Sequence, residues 1–256
     1  MFIPIGDDNR DRRLTPFVNY ALIAANILVF VFLQGFGGNT RFTYAFSTVP
    51  REILTGQDVV TQPKVAEDPA TGAQYEIPGL QPTPLSVYLT LLTSIFMHGG
   101  IAHLMGNMLY LWIFGDNIED YLGHVRYLLF YLLTGLAASL AHVATVVMLG
   151  QDPLTPSLGA SGAISGVLGG YLLLFPHKAV RMLMFRMVTT VPALMAIGVW
   201  FVFQLISGIG MLGARNQSGG VAYAAHIGGF VAGYLLVRLF DRGPSSPALR
   251  TVQAPW

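Results

Sequence analysis

Long stretches without a charged side chain dominate this chain. They occupy residues 14–40, 77–115, 127–151, 153–177, 187–214 and 216–237, and no other such run reaches 18 residues. A bilayer core about 30 Å thick takes roughly 20 apolar residues as helix, so the pattern predicts six spans. Their expected limits are Thr15 to about Phe36, about Gly100–Asn117, about Arg126–Leu149, Ser157–Phe175, Met187–Ile209 and Gly219–Leu239. The run 77–115 is longer than one span needs, and its first part, with Pro78, Pro82 and Pro84, reads as loop and interfacial lead-in. Gly37 to about Met97 is then a long first external loop. Apolar pieces, Phe42–Phe46 and Leu85–Leu89, flank its polar centre, which suits a segment lying in the headgroup region. The expected fold is an all-α polytopic membrane protein. Residues 15–241 form its six-helix bundle domain, between a tail of residues 1–14 and a tail of residues 242–256.

Composition agrees with the pattern. Hydrophobic residues make up 53% and charged residues 11%, whereas soluble domains are about a quarter charged. A net charge of +1 without blocks of like charge gives no reason to expect a nucleic-acid partner. The chain has no cysteine, which excludes disulfides, thiolate metal sites and a cysteine nucleophile. The first apolar run is full length and lacks a small-residue cleavage site, so it reads as a retained span rather than a signal peptide. With six spans both termini share a side. That side holds ten of the fourteen Lys and Arg residues, which places both termini in the cytoplasm. No organelle presequence is evident, so the expected location is a prokaryotic cell membrane.

Polar side chains inside spans are costly and mark candidate functional sites. By the helical rise per residue, Ser161 lies about 6 Å past Ser157, and His226 about 10 Å past Gly219. His103 and Asn107, one turn apart on one face, lie about 5 and about 11 Å past Gly99. Four polar residues from three spans thus share an outer layer. Gly162, Gly166 and Gly170 repeat every four residues on the fourth span, and Gly229 and Gly233 do so on the sixth. Small residues at this spacing let helices approach closely in lipid, which a Ser161–His226 hydrogen bond requires. Neutral imidazole can take the serine proton, and the Ser161 backbone N–H with the side chains of His103 and Asn107 could hold an oxyanion. No acidic residue lies in the outer half of any span, so the sequence allows a Ser-His dyad rather than a triad.

These elements resemble the rhomboid family of intramembrane serine proteases, from about residue 15 to 240. The matching motifs, in order, are His98-Gly99-Gly100-Ile101-Ala102-His103-Leu104-Met105-Gly106-Asn107, Gly115 to Glu119, Gly159-Ala160-Ser161-Gly162, and Ala225-His226-Ile227-Gly228-Gly229 with Gly233. The resemblance implies a six-helix core, Ser161 as nucleophile and His226 as base. It also implies His103 and Asn107 at the oxyanion hole and His98 near the mouth of the site. Transmembrane protein substrates and the bilayer are the implied partners, with no cofactor and no metal. Two departures stand out. Leu89-Thr90 occupies the neighbourhood where many members carry Trp-Arg, and Ser165 stands where some carry an aromatic that packs on the base.

Blander readings exist for each residue. Ser161 alone reads as a packing serine, His226 as a structural hydrogen-bonder and Asn107 as helix–helix glue. His142 is expected to bond between helices, His124 and His177 to be solvated or interfacial, Glu119 to bond a neighbouring loop, and Met182–Phe185 to form an interfacial inner loop. The alternatives to a protease are a catalytically inactive rhomboid-like binder of membrane proteins and a metal or proton transporter. The first would lack the serine or the histidine. The second is disfavoured because His98 and His103 lie off one helical face.

Overall fold

A computed structural model of the protein describes residues 2–67, 72–211 and 223–241. The chain begins with strand β1 (Phe2–Asp7), then α1 (Phe17–Leu28), which continues as a π-helical turn over Val29–Leu33. Two short helices, α2 (Thr40–Ala45) and α3 (Pro50–Thr55), precede a hairpin of β2 (Lys64–Glu67) and β3 (Gln74–Ile77). After α4 (Thr90–Thr93) come α5 (Ile101–Leu122), α6 (His124–Leu149) and α7 (Ser161–Leu174). A second hairpin, β4 (Ala179–Met184) and β5 (Met187–Pro192), leads into α8 (Ala193–Met211) and α9 (Tyr223–Leu236). Among the described residues, α6 and Tyr223–Phe240 are long and apolar enough to cross a membrane. Val87–Phe96 and Ile101–Leu122 qualify as one unit bent by 80°. Phe17–Leu33, Ser161–Leu174 and Ala193–Gly208 are shorter apolar helices. Gly219, the expected start of the sixth span, and the tail of residues 242–256 lie outside the described residues.

The expectation of an all-α chain is corrected in two places. The N-terminal tail supplies β1, which pairs antiparallel with β4, and β4 pairs with β5, in the order β1-β4-β5. Met182–Phe185 is therefore largely strand and turn rather than interfacial loop. Its turn residues, Phe185 and Arg186, take φ of 46° and 75° without glycine or asparagine, so the usual hairpin signal is missing from the sequence. The long loop also holds its own helices and hairpin. The expected fifth span is a strand up to Pro192 and a helix only from Ala193.

The centre of the bundle is α7, whose residues from Gly162 to Tyr171 are all buried, as befits a helix apolar on every face. It packs on α5, α6 and α9. The glycines divide this work. A Cβ on Gly229 or Gly233 of α9 would overlap the backbone carbonyl oxygen of Gly162 or Gly166. Gly162 and Gly166 themselves open toward α6, where an added Cβ on Gly162 would stand 2.6 Å from Ala138 Cβ, and one on Gly166 would overlap Thr134. Gly170 faces Phe130 of α6 and Val237 beyond α9. The expected ladder on α7 thus seats mainly α6, and the close approach of α9 comes from its own Gly229 and Gly233 and from Gly169 of α7, where an added Cβ would overlap the Phe230 carbonyl oxygen.

Buried polar groups fasten the other helices. The Asn19 amide of α1 donates to the Leu111 carbonyl at 3.0 Å, and its oxygen accepts from Tyr127 O–H at 2.7 Å. Glu119, fully buried, accepts the backbone N–H of Val18 at 2.9 Å and of Asn19 at 2.7 Å, and meets His124 Nδ1 at 2.5 Å. Its partner is therefore the first turn of α1, where free N–H groups and the helix dipole favour a carboxylate, rather than the neighbouring loop expected.

Candidate active site

The approach to α7 is extended rather than helical. Thr48 and Ser157 exchange backbone hydrogen bonds at 2.9 and 2.8 Å, and Gly159 N–H donates to the Ser94 carbonyl at 2.9 Å. Gly159 has φ of 126°, in the region that disfavours side chains. A Cβ there would lie 2.9 Å from His103 Cε1 and 3.6 Å from Ser161 Oγ. Glycine is thus required by conformation and by space. Ser161 is consequently the first residue of α7, not one turn inside a helix begun at Ser157, and the depth counted from Ser157 does not apply. Its position has chemical value. The first α-helical bond here runs from Ile164 N–H to Ala160 at 2.9 Å, so the N–H groups of Ser161, Gly162 and Ala163 have no carbonyl four residues back within the helix.

His226 lies on α9, one turn before the glycine that lets α9 close on α7. Its Nε2 is 2.8 Å from Ser161 Oγ, and its Nδ1 is 2.8 Å from Gln204 Oε1 of α8. Because an amide oxygen only accepts, Nδ1 carries the proton and Nε2 offers its lone pair to the serine hydroxyl. Trp200, one turn before Gln204, sets its ring 6.1 Å from the imidazole. Ser165 gives no support to His226. Its hydroxyl donates to the Ser161 carbonyl at 2.6 Å. Support for His226 comes from α8 instead, through Gln204 and Trp200, which sequence reasoning missed. One signal existed: between Ala193 and Leu205, Gln204 is the only amide or charged side chain.

On α5, His103 and Asn107 share a face. Gly99 N–H donates to His103 Nδ1 at 3.3 Å, which leaves the proton on Nε2, the nitrogen that lies against Gly159. The Asn107 side chain is buried, and its Nδ2 has no hydrogen-bond partner among the described residues. His98 differs from expectation. It is fully buried, with its ring 5.2 Å from that of His103, so it backs His103 rather than lining an open mouth. Gln34 holds its backbone on both sides, accepting His98 N–H at 2.9 Å and donating to His98 C=O at 3.0 Å. That double bond fixes the chain entering α5 without the Trp-Arg pair. His142 Nε2 is buried and has no partner among the described residues, so the expected interhelical bond is not made there. His124 is half-exposed in its pair with Glu119, and His177 is exposed.

Together these groups place a hydroxyl beside an imidazole nitrogen, at a helix start with free backbone N–H donors and with His103 of α5 against Gly159. That arrangement suits nucleophilic attack on a carbonyl carbon.

Comparison with known proteins agrees. The Rhomboid domain model matches residues 86–242, which span α4 to α9 and hold Ser161, His226, His103, Asn107 and Gln204. Rhomboid protein 1, mitochondrial, of Saccharomyces cerevisiae is 31% identical over 175 residues, covering 68% of this chain and 48% of the yeast protein. Rhomboid protease GluP of Bacillus subtilis is 32% identical over 222 residues, covering 86% of this chain and 34% of that protein. RHOMBOID-like protein 4 of Arabidopsis thaliana is 33% identical over 153 residues, 57% of this chain and 32% of its own length. The chain spans about a third to a half of the length of these relatives. They come from a bacterium, a yeast and a plant, so the expectation of a prokaryotic membrane rests on the sequence alone. With the domain match covering the whole of the candidate site, the chain belongs to the rhomboid family.

Proposed function

We propose that this protein is an intramembrane serine endopeptidase that cleaves transmembrane segments of other membrane proteins with a Ser161–His226 dyad. The observation that carries this reading is the 2.8 Å contact between Ser161 Oγ and His226 Nε2, side chains 65 residues apart on different apolar helices. A packing serine and a structural histidine have no need to meet. In the same proposal the six apolar helical units are six spans, the shorter ones included, and both termini are cytoplasmic.

The chemistry follows from the geometry. Ser161 Oγ attacks the carbonyl carbon of the scissile peptide bond as its proton passes to His226 Nε2. The carbonyl oxygen becomes an oxyanion, held by the Ser161 backbone N–H at the start of α7 and by His103 and Asn107 from α5. The C–N bond then breaks, and Nε2 returns the proton to the departing amine. Water attacks the acyl-serine, His226 takes its proton, and collapse of the second tetrahedral species frees the acid and restores Ser161. Because helical amides are shielded by their own hydrogen bonds, the substrate helix must unwind at the cut. Substrates with helix-destabilising residues there, and a small residue before the cut, are therefore preferred.

The test is cleavage of a transmembrane reporter by purified protein, with Ser161→Ala and His226→Ala beside wild type. Both variants are expected to lose activity, and a fluorophosphonate probe is expected to label Ser161 in wild type. Undiminished cleavage by either variant would sink the dyad. Absence of both cleavage and labelling in wild type would return the chain to the inactive-binder reading.

A further inference from the structure

We infer that Gln204 is a positioning residue for the base, a neutral third member that fixes the tautomer and orientation of His226. The inference rests on the serine-protease reading above and names a residue that reading does not require.

Three observations converge on it. First, Gln204 Oε1 faces His226 Nδ1 at 2.8 Å, on the opposite side of the imidazole from Ser161 Oγ at 2.8 Å. Of the two neutral forms of imidazole, only the one protonated at Nδ1 leaves Nε2 free to accept from serine. An acceptor at Nδ1 selects that form and holds the ring in plane with its target, which is the orienting part of the third residue's work in a serine-protease triad. Second, the amide stands in apolar surroundings. It is buried at 6% exposure on α8, an otherwise largely apolar helix. A polar group so placed costs free energy unless it is bonded, so His226 and Gln204 satisfy each other. Third, the same face of α8 fixes the ring from a second direction. Trp200, one turn earlier, lies 6.1 Å from the imidazole, and Phe201 stacks at 4.0 Å on Phe230, one turn after His226 on α9. The contact between α8 and α9 is thus two-tiered, aromatic below and hydrogen-bonded at the base.

The surroundings of His226 leave this role to Gln204. Ser161 meets it from α7, and α6 presents Ala137, Ala138 and Ala141 to the adjoining turn of α9. His103 of α5 is the titratable group that acts on it. An amide suits this setting better than a carboxylate. It supplies the acceptor without placing a charge in hydrocarbon, where an ion unpaired for most of the cycle is costly. It also forgoes the full stabilisation that a carboxylate gives the transient imidazolium.

The experiment compares wild type, Gln204→Met, Gln204→Glu and Ser161→Ala as purified protein in detergent. It reads reporter cleavage as kcat and KM, the rate of fluorophosphonate labelling of Ser161, and the pH profile of kcat/KM. Gln204→Met is expected to lower kcat and the labelling rate roughly tenfold to a hundredfold, up to the lower end of what acid–base assistance contributes, with KM changed less than twofold. Gln204→Glu keeps an acceptor and adds a charge. It is expected to retain cleavage above pH 8 and to move the acid limb of the profile to higher pH by about one unit. A residue that only fills space would give neither the split between kcat and KM nor the displaced limb. Wild-type kcat and labelling in Gln204→Met, with Ser161→Ala inactive, overturn the inference alone. Cleavage by Ser161→Ala overturns the protease reading instead. Should Gln204→Met not fold, the acid limb of Gln204→Glu decides, and an unmoved limb overturns the inference.

Discussion

At the scale of single residues, the site depends on groups whose alternatives are closed off one by one. Asn107 illustrates this. It is buried on the His103 face of α5, and its amide nitrogen has no partner among the described residues. A glue residue would hold a neighbouring helix, and its loss would register in stability. Losing a donor kept for the oxyanion costs the resting protein little stability, and the loss counts in the transition state. Asn107→Ala is therefore expected to reduce kcat about a hundredfold, the effect of removing one oxyanion donor, with KM and thermal stability close to wild type. Equal losses of stability and activity would favour the glue role. Gly159→Ala tests the neighbouring backbone. Its added methyl meets His103 Cε1 at 2.9 Å in a conformation with φ of 126°, so both His103 and the entry to α7 must move. The expected result is a fall in kcat of tenfold or more with destabilisation of about 1–3 kcal/mol, checked by labelling of Ser161 and thermal unfolding.

At the scale of elements, the close seating of α9 on α7 is what brings His226 to Ser161. Gly233→Val would drive a side chain into the Gly166 carbonyl, and overpacking of this kind costs about 1–3 kcal/mol. The expected outcome is a lower unfolding temperature together with lost Ser161 labelling. Gly106→Ala on α5, where an added Cβ has nothing within 4 Å, should match wild type in both readouts. The helices were legible in the sequence because apolar runs free of charge leave few other ways to satisfy a backbone in lipid. Ser161 and His226 were legible because each is a polar side chain in a charge-free run beside glycines spaced by four. What escaped notice had physical reasons. The β4–β5 turn is built from Phe185 and Arg186, without the residues that usually mark a hairpin. The first helical residue of α7 is set by the Thr48–Ser157 bridge, a pairing across about a hundred residues that no local pattern reveals. Gln204 is a lone amide whose meaning depends on which side chain of α9 it faces. His98 is buried because Gln34, on the turn after α1, clamps its backbone.

At the scale of the molecule, the N-terminal residues are part of the bundle's architecture rather than a loose tail. Asp7, at the end of β1, accepts from Tyr171 O–H of α7 at 2.6 Å and from the Asn117 amide of α5 at 2.7 Å. Asn117 in turn accepts from Lys178 Nζ just before β4 at 2.5 Å, Lys178 pairs with Asp11, and Arg12 pairs with Asp116. This network ties the first strand to the ends of α5 and α7 farthest from Ser161. Burial raises the Asp7 pKa from 3.8 to about 6, against the lowering effect of Tyr171 and Lys178. Between those two values the folded protein binds a proton that the unfolded chain has released. The stabilisation this provides is complete below about pH 4 and is lost as pH rises through about 6, because unfolding releases that proton and rising pH favours the release. Asp7→Asn keeps an acceptor for Tyr171 and has no charge to desolvate, so this dependence should vanish in the variant. Thermal unfolding in detergent at pH 4.5, 6 and 7.5 measures it. Relative to wild type, Asp7→Asn is expected to gain about 2 kcal/mol between pH 4.5 and 7.5, the part of this shift that falls within that range. Titrations outside this network are common to both proteins and cancel in the difference, while the nearby Asp116, whose charge also raises the Asp7 pKa, belongs to it. Parallel curves for the two proteins would mean that Asp7 does not titrate in this range and that the network holds β1 with the carboxylate charged throughout.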